Sequence, residues 1–241
     1  MNMSAMQKFS PDKIRLLAFD VFGTVVDWHG SIVREVERLE LGIDASAFAL
    51  AWREGYAPAM QRVMAGELGW TRLDNLHRGI LDEILPRFGL EQMSEAERKA
   101  LNLIWHRLDP WPDSVAGLTR LKTRFTICSL SNGNIALLSN MAKRAGLPWD
   151  CILSAELFKK YKPHPDTYRG VAETFALDPA EVMLVAAHHD DLEAARNCGL
   201  QTAYIERPLE FGADAIKDVS PRPENNMHAQ TIEHLARLLE C

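Results

Sequence analysis

The sequence predicts an α/β protein, a parallel sheet flanked by helices and interrupted near its start by a block that is helical throughout. Three observations predict it. From residue 114 onward, short apolar runs of strand type alternate with amphipathic helices, the pattern that builds parallel sheets through right-handed crossovers. One more strand-like run, residues 14–20, stands alone near the N-terminus and ends in the carboxylate of Asp20, with a turn at Gly23. Between the two, residues 31–108 keep helical periodicity and contain no β-type run. The expected domains are an α/β core of residues 1–30 and 109–241 and a helical domain of residues 31–108.

Residues 1–13 are polar, and the first ten, with one lysine and no long apolar run, do not read as a signal peptide. Residues 14–20 form the first strand. A helix is expected over 31–39, where apolar residues recur at three-to-four spacing behind Ser31 as N-cap. Helices follow over 45–64, 71–88 and 94–108, with connectors at Gly66, Gly69 and Gly89. Ser94-Glu95-Ala96-Glu97 opens the last of these as a capping box. Asp109-Pro110-Trp111-Pro112-Asp113 is a stiff connector back to α/β texture. A helix over 114–122 and a strand over 125–130 come next. The helix over 135–145 is stopped by Gly146. A strand covers 151–154, and the helix over 165–175 has a proline near its start. A strand over 182–187, a helix over 191–198 stopped by Gly199 and a strand over 201–205 complete the alternation. Residues 206–226, rich in proline and charge, read as loop, and 231–239 as a closing helix.

Composition bounds the function. With 241 residues, 47% of them hydrophobic, the chain can bury a full core without disulfides. Cys128, Cys151, Cys198 and Cys241 are scattered and form no Cys-x-x-Cys pair for a metal or redox role. A reducing compartment, and hence the cytoplasm, is expected. The net charge of −6 excludes a general nucleic-acid binder, which needs a basic face, but leaves room for a small anionic substrate. No stretch approaches the roughly 20 apolar residues that cross a bilayer, so no membrane partner is expected.

In open α/β sheets, ligands sit beyond the carboxyl ends of the strands. Asp20 is therefore placed where a nucleophile or metal ligand belongs, although a strand-ending aspartate also serves as a turn cap. Three other polar clusters follow the same logic. Ser131-Asn132-Gly133-Asn134 ends one strand, Lys159-Lys160-Tyr161-Lys162-Pro163 precedes a helix, and His188-His189-Asp190-Asp191 ends another strand. Singly, a Ser-Asn turn is an ordinary helix cap and a Lys-Pro pair ordinary surface. Together, Asp20, Ser131, Asn132, Lys162 and Asp191 are expected to converge at one sheet edge.

In this order the clusters resemble the four motifs of the haloacid dehalogenase superfamily. Asp20-Val21-Phe22-Gly23-Thr24 is similar to the first, with its aspartate nucleophile. Ser131-Asn132-Gly133 is similar to the second, Lys162-Pro163 to the third, and Asp191 with the following Leu-Glu-Ala-Ala-Arg to the fourth. The resemblance spans residues 14–207. It implies a Rossmann-like, HAD-like core with the helical block as a cap that closes over the site.

Two departures separate branches of the superfamily. Its phosphatases place a second aspartate two residues after the nucleophile, as the acid for a leaving alcohol; here that residue is Phe22. They also place an aspartate for magnesium four residues before the position of Asp191; here it is Ala187. Halide leaves as a stable anion and needs neither proton nor metal. The chain thus most resembles the (S)-2-haloacid dehalogenases, which implies no metal and no cofactor.

The resemblance also implies roles. Asp20 attacks the carbon bearing the halogen and becomes an alkyl ester, which water hydrolyses. Lys162 keeps Asp20 ionised and neutralises the substrate carboxylate, and Asp191 orients Lys162 and the water. Thr24 and Ser131 bond Asp20 or the substrate carboxylate, and Phe22 lies on the substrate side. Arg53 and Asn132 cradle the departing halide. Tyr168 either bonds near Lys162 or packs in the core.

A further departure is that Ala186 and His188 stand where better-known members have serine and asparagine. His188 would orient water, donate to the halide, narrow the halide pocket in a way that suits fluoride, or satisfy loop carbonyls. His189 is expected to face outward. Trp28, Tyr56 and Trp70 line the cleft between cap and core or simply pack. The expected function is hydrolysis of short 2-haloalkanoic acids, such as fluoroacetate or chloroacetate, to 2-hydroxy acids. The alternatives are a phosphatase of the superfamily with a displaced acid and Asp190 as a substitute ligand, or a non-catalytic scaffold that binds a metabolite or partner. Relatives that pair through cap helices make a homodimer a further expectation.

Overall fold

A computed structural model describes residues 9–241; residues 1–8, most of the stretch read as lacking a signal peptide, lie outside the described residues. The strands are β1 (Leu16–Phe19), β2 (Val26–Asp27), β3 (Asp109–Pro110), β4 (Thr126–Ser131), β5 (Cys151–Ser154), β6 (Val182–Ala186), β7 (Gln201–Ile205) and β8 (Met227–Ala229). Six of them form one sheet in the order β5-β4-β1-β6-β7-β8, and every neighbouring pair is parallel. The architecture is the expected α/β one, a Rossmann-like parallel sheet with a helical block inserted after its first strand.

Side chains alternate across the sheet, as period two requires. Leu17, Phe19, Ile127 and Val185 pack into the apolar cluster on one face, and Leu16, Ala18, Cys128 and Leu184 into the cluster on the other. With both faces covered, all four residues of β1 are buried, which explains why its sequence is a continuous apolar run. From β1 the chain runs outward to β4 and β5, then returns to β6 on the opposite side of β1. The order reverses there, and such a switch opens a crevice beyond the strand ends. Asp20 is the first residue past β1.

The inserted helices are α1 (Trp28–Arg38), α2 (Ala45–Glu54), α3 (Tyr56–Met64), α4 (Leu73–Ile84) and α5 (Glu95–Asn102). The sheet carries α6 (Ser114–Leu121), α7 (Ile135–Ala145), α8 (Ala155–Phe158), α9 (Pro165–Thr174), α10 (His189–Asn197) and α11 (Ile232–Leu238). The capping box at Ser94 and the Gly146 stop are formed as expected.

Several boundaries differ from the expectation for identifiable reasons. The first helix starts at Trp28 with Asp27 as its cap, through Asp27 Oδ1 and the Gly30 amide at 2.8 Å. Ser31 instead accepts from the Asp109 amide at 2.8 Å. That bond supports the antiparallel β2–β3 pair, where the chain leaves for the helical block and returns. The expected helix over 45–64 breaks at Gly55, which sits against Ile80 where a Cβ would approach within 2.5 Å. The helices over 71–88 and 94–108 each finish in a 3-10 turn, Leu85–Phe88 and Leu103–Arg107. The stretch 206–226 is irregular, but β8 follows it and extends the sheet. Among the described residues, no helix is long and apolar enough to cross a membrane.

Candidate active site

The crevice beyond β1 gathers residues from four loops. The backbone of Asp20 is tied to β6 through its amide and the Val185 carbonyl at 3.0 Å. Thr24 donates to Asp20 Oδ2 at 2.7 Å and accepts from the Ala187 amide at 2.9 Å, so one hydroxyl fixes the carboxylate and joins two strand ends. Lys162 arrives from the loop before α9, and its amide donates to Asn132 Oδ1 at 2.8 Å. Its ammonium lies 3.3 Å from Asp20 Oδ1 and 2.7 Å from Asp191 Oδ2. Asp191 stands in the first turn of α10, and Tyr168 on α9 donates to its other oxygen at 2.6 Å. Asp20, Thr24, Asn132, Lys162, Tyr168 and Asp191 thus form one connected cluster. Tyr168 is both buried in the core and bonded into the site.

Ser131 does not reach Asp20; its hydroxyl accepts from the Gly133 amide at 3.1 Å and shapes the turn after β4. His188 does reach it, with Nδ1 3.2 Å from Asp20 Oδ2. Its Nε2 donates to Glu210 Oε1 at 2.8 Å. Glu210 is fully buried, held by Lys217 at 2.5 Å and by the Trp28 indole at 3.4 Å. Lys217 also donates to the Ala187 carbonyl at 2.6 Å. Glu210 and Lys217 were not expected from the sequence, because both lie in the stretch that reads as loop. The charge of Glu210 beside Arg207 and Pro208 carries no signal of burial. His189 turns away from the site and stacks on Tyr204 with ring centroids 4.2 Å apart, and Asp190 is exposed.

The remaining wall is aromatic. Phe22 packs edge-on to Trp105 at 5.8 Å and to His77 at 6.5 Å. Arg53, near the end of α2, lays its guanidinium 4.1 Å from the Tyr56 ring and 5.8 Å from the Trp28 ring. With Phe211 and Glu54 it also lines a cleft of about 530 Å³. His77 stacks on Trp105 at 4.1 Å, and neither of its ring nitrogens has a hydrogen-bond partner among the described residues. Its apolar spacing on α4 gave no sign of this. Trp70 packs on Tyr161 at 4.7 Å.

Burial alone would raise the Asp20 carboxyl, but the Lys162 ammonium, then His188 and Thr24, outweigh it and hold Asp20 well below the usual carboxylate range. Burial works against the charge of Lys162, yet Asp191 and Asp20 raise it further. Burial pushes Asp191 up against the pull of Lys162. His188 is driven down by burial and more strongly up by Glu210 and Asp20, to about 9. Glu210, raised by burial, is drawn down by His188 and Lys217 to about 2. Burial brings His77 to about 3, so it is neutral. Asp20 is therefore an ionised carboxylate between two cations.

The donor set does not fit a magnesium ion. The Lys162 ammonium already bridges the Asp20 and Asp191 carboxylates, and Phe22 and Ala187 offer no side-chain oxygen. Among the described residues, no group of three His, Cys, Asp or Glu side chains is placed to hold a metal.

Known proteins are similar to this chain in sequence and fold. The family model of the haloacid dehalogenase-like hydrolases matches residues 14–199. An (S)-2-haloacid dehalogenase of Burkholderia cepacia is 31% identical over 238 residues, covering 90% of this chain and 97% of its own. The crystal structure of an L-2-haloacid dehalogenase superposes with a TM-score of 0.90 at 44% identity, covering 94% of this chain and 99% of the other. That of a defluorinating L-2-haloacid dehalogenase gives the same score and identity over 95% and 96% of the two chains. The match over residues 14–199 and the shared fold, a parallel sheet with a helical insertion, show that this chain belongs to the haloacid dehalogenase-like hydrolase family.

Proposed function

We propose that this protein hydrolyses short 2-haloalkanoic acids to 2-hydroxy acids through an ester on Asp20, with residues 31–108 as the cap over the site. The observation that carries the reading is an ionised, nearly buried carboxylate held between Lys162 and His188, with no acid at position 22. Such a group is a nucleophile for a leaving group that needs no proton. The names of the relatives point to the same substrates, and one of them to fluorinated ones.

In this reading Asp20 displaces halide from the substrate carbon with inversion. Lys162 keeps Asp20 ionised and faces the substrate carboxylate, and Asp191 and Tyr168 hold Lys162. Thr24 aims the nucleophile. Halide leaves on the side opposite Asp20, where Arg53 and Asn132 supply donors to the growing charge. Phe22, Tyr56, His77 and Trp105 keep that side poor in water. Ser131 contributes by shaping the loop that presents Asn132. The site takes a small-molecule haloacid and no cofactor. A homodimer through the cap helices and a cytoplasmic location complete the reading, the second supported by four free cysteines.

The test is halide release from chloroacetate, fluoroacetate and (S)-2-chloropropionate in the presence of a chelator, beside an aryl phosphate with magnesium. Metal-independent halide release, abolished by Asp20→Asn in a variant that keeps a cooperative thermal transition, is expected. Magnesium-dependent phosphate release without halide would sink the proposal.

A further inference from the structure

Hydrolysis of an ester on Asp20 needs a base for the attacking water, and the groups around the carboxyl are not equally free to act. The Lys162 ammonium has donors only. Asp191 is separated from Asp20 by the Lys162 ammonium, which bonds both, and its other oxygen accepts from Tyr168 at 2.6 Å. The Thr24 hydroxyl is held between Asp20 and the Ala187 amide. His188 remains, with Nδ1 3.2 Å from Asp20 Oδ2 and Nε2 2.8 Å from Glu210.

Glu210 is built in to hold that imidazole. It is fully buried, fixed by Lys217 and Trp28, and seated against Gly23, where a Cβ would fall 2.2 Å from Glu210 Oε1. Of the two cations against Asp20, His188 is the more exposed, at 21% of its side chain against 7% for Lys162.

We propose that His188, oriented by Glu210, is the base that takes a proton from the water attacking the Asp20 ester. The inference rests on the dehalogenase reading above. In the free enzyme His188 is protonated and lies between two carboxylates, Asp20 and Glu210, with Lys162 and Lys217 on their far sides. Alkylation turns Asp20 into a neutral ester, and His188 then releases its proton to solvent. Glu210 keeps the remaining proton on Nε2, so the Nδ1 lone pair faces the ester.

The water oxygen bonds to Asp20 Cγ as one of its protons passes to Nδ1. The tetrahedral intermediate then breaks the bond from Cγ to the alkyl oxygen, and the departing alkoxide takes the second water proton. The 2-hydroxy acid leaves, and the Asp20 carboxylate and the His188 imidazolium are restored. Substrate and water thus become alcohol, halide and one released proton. This placement also sets His188 apart from the halide, because backside displacement sends the halide away from Asp20 while His188 touches the carboxylate itself.

The experiment is rapid-mixing halide release from chloroacetate with the full chain and its His188→Gln variant. The variant is expected to give a fast burst of about one halide per active site and then turnover about 10²-fold or more slower. Intact-protein mass spectrometry should show a carboxymethyl adduct on Asp20 that the unaltered protein does not accumulate. Turnover should slow with falling pH in the unaltered protein, whereas decay of the adduct in His188→Gln should be pH-independent. Glu210→Gln should show the same burst and Glu210→Asp should recover part of the slow phase, as a positioning residue requires. Unchanged turnover with no adduct would overturn the inference, as would loss of the burst in a variant that keeps its thermal transition. His188→Asn replaces the glutamine variant if that one does not fold. If the unaltered protein releases no halide from any haloacid, the dehalogenase reading itself fails and the base falls with it.

Discussion

At the scale of single residues, visibility in the sequence follows how local the cause of a residue's position is. Asp20, Asn132, Lys162 and Asp191 each follow or precede a recognisable strand or helix, so a parallel sheet brings them to one edge. Glu210 lies 22 residues from His188 in a stretch without periodicity, and only a tertiary contact buries it. Arg53 was legible as a charge but not as a geometry. Its guanidinium carbon sits over Tyr56, 4.1 Å from the ring centroid, a cation–π contact that restrains the fork. Arg53→Ala should therefore lower kcat for halide release by about 10²–10³-fold, the usual loss of a donor aimed at developing charge. Arg53→Lys should recover little, because an ammonium cannot reproduce the stacked fork. Steady-state kcat and KM for both variants check this, and full activity in Arg53→Lys would remove the guanidinium from the halide side.

At the scale of elements, the corner between α2 and α3 links packing to chemistry. The sequence reads as one helix over 45–64 because Phe48, Trp52, Met60 and Val63 keep helical phase through Gly55. Pro58 lacks the amide that one continuous helix would donate to the Glu54 carbonyl, so the sequence does mark a break, which the apolar phase masks. Ile80 of α4 packs into this corner and fills the space a Cβ at position 55 would need. Arg53 and Tyr56 flank this corner, so its angle sets their stacking. Gly55→Ala forces Cβ to within 2.5 Å of Ile80 Cγ2. It should cost about 1–3 kcal/mol of stability by overpacking. It should also lower kcat by disturbing the Arg53–Tyr56 contact, while Ala59→Gly, one turn on, should leave kcat unchanged. Denaturant unfolding together with haloacid kinetics separates the two effects.

At the scale of the whole molecule, Asp20, Asp191 and Glu210 interleave with Lys162, His188 and Lys217 into a chain of alternating charge. It ties β1, β6, α10 and the 206–226 stretch together, and its Glu210–Lys217 end is the part that no local pattern in the sequence announces. Glu210, Asp20 and His188 titrate differently in the folded and unfolded chain, so the pH dependence of stability reads it out. Glu210 titrates at about 2 when folded and near 4.5 when unfolded. Its contribution is full above 4.5 and is lost as the pH falls toward 2, and depressed Asp20 adds to that acid limb. His188 has the opposite sign, at about 9 when folded and 6.5 when unfolded. Its contribution is full below 6.5 and is lost as the pH rises through 9. Stability should therefore peak between about pH 5 and 6.5 and fall on both sides. In His188→Gln the decline between 6.5 and 9 should vanish while an acid limb remains. Urea midpoints from pH 3 to 10 measure both limbs. An alkaline decline as steep in His188→Gln as in the unaltered protein would mean that His188 is not held as a cation between Asp20 and Glu210, and the charge chain would lose its central link.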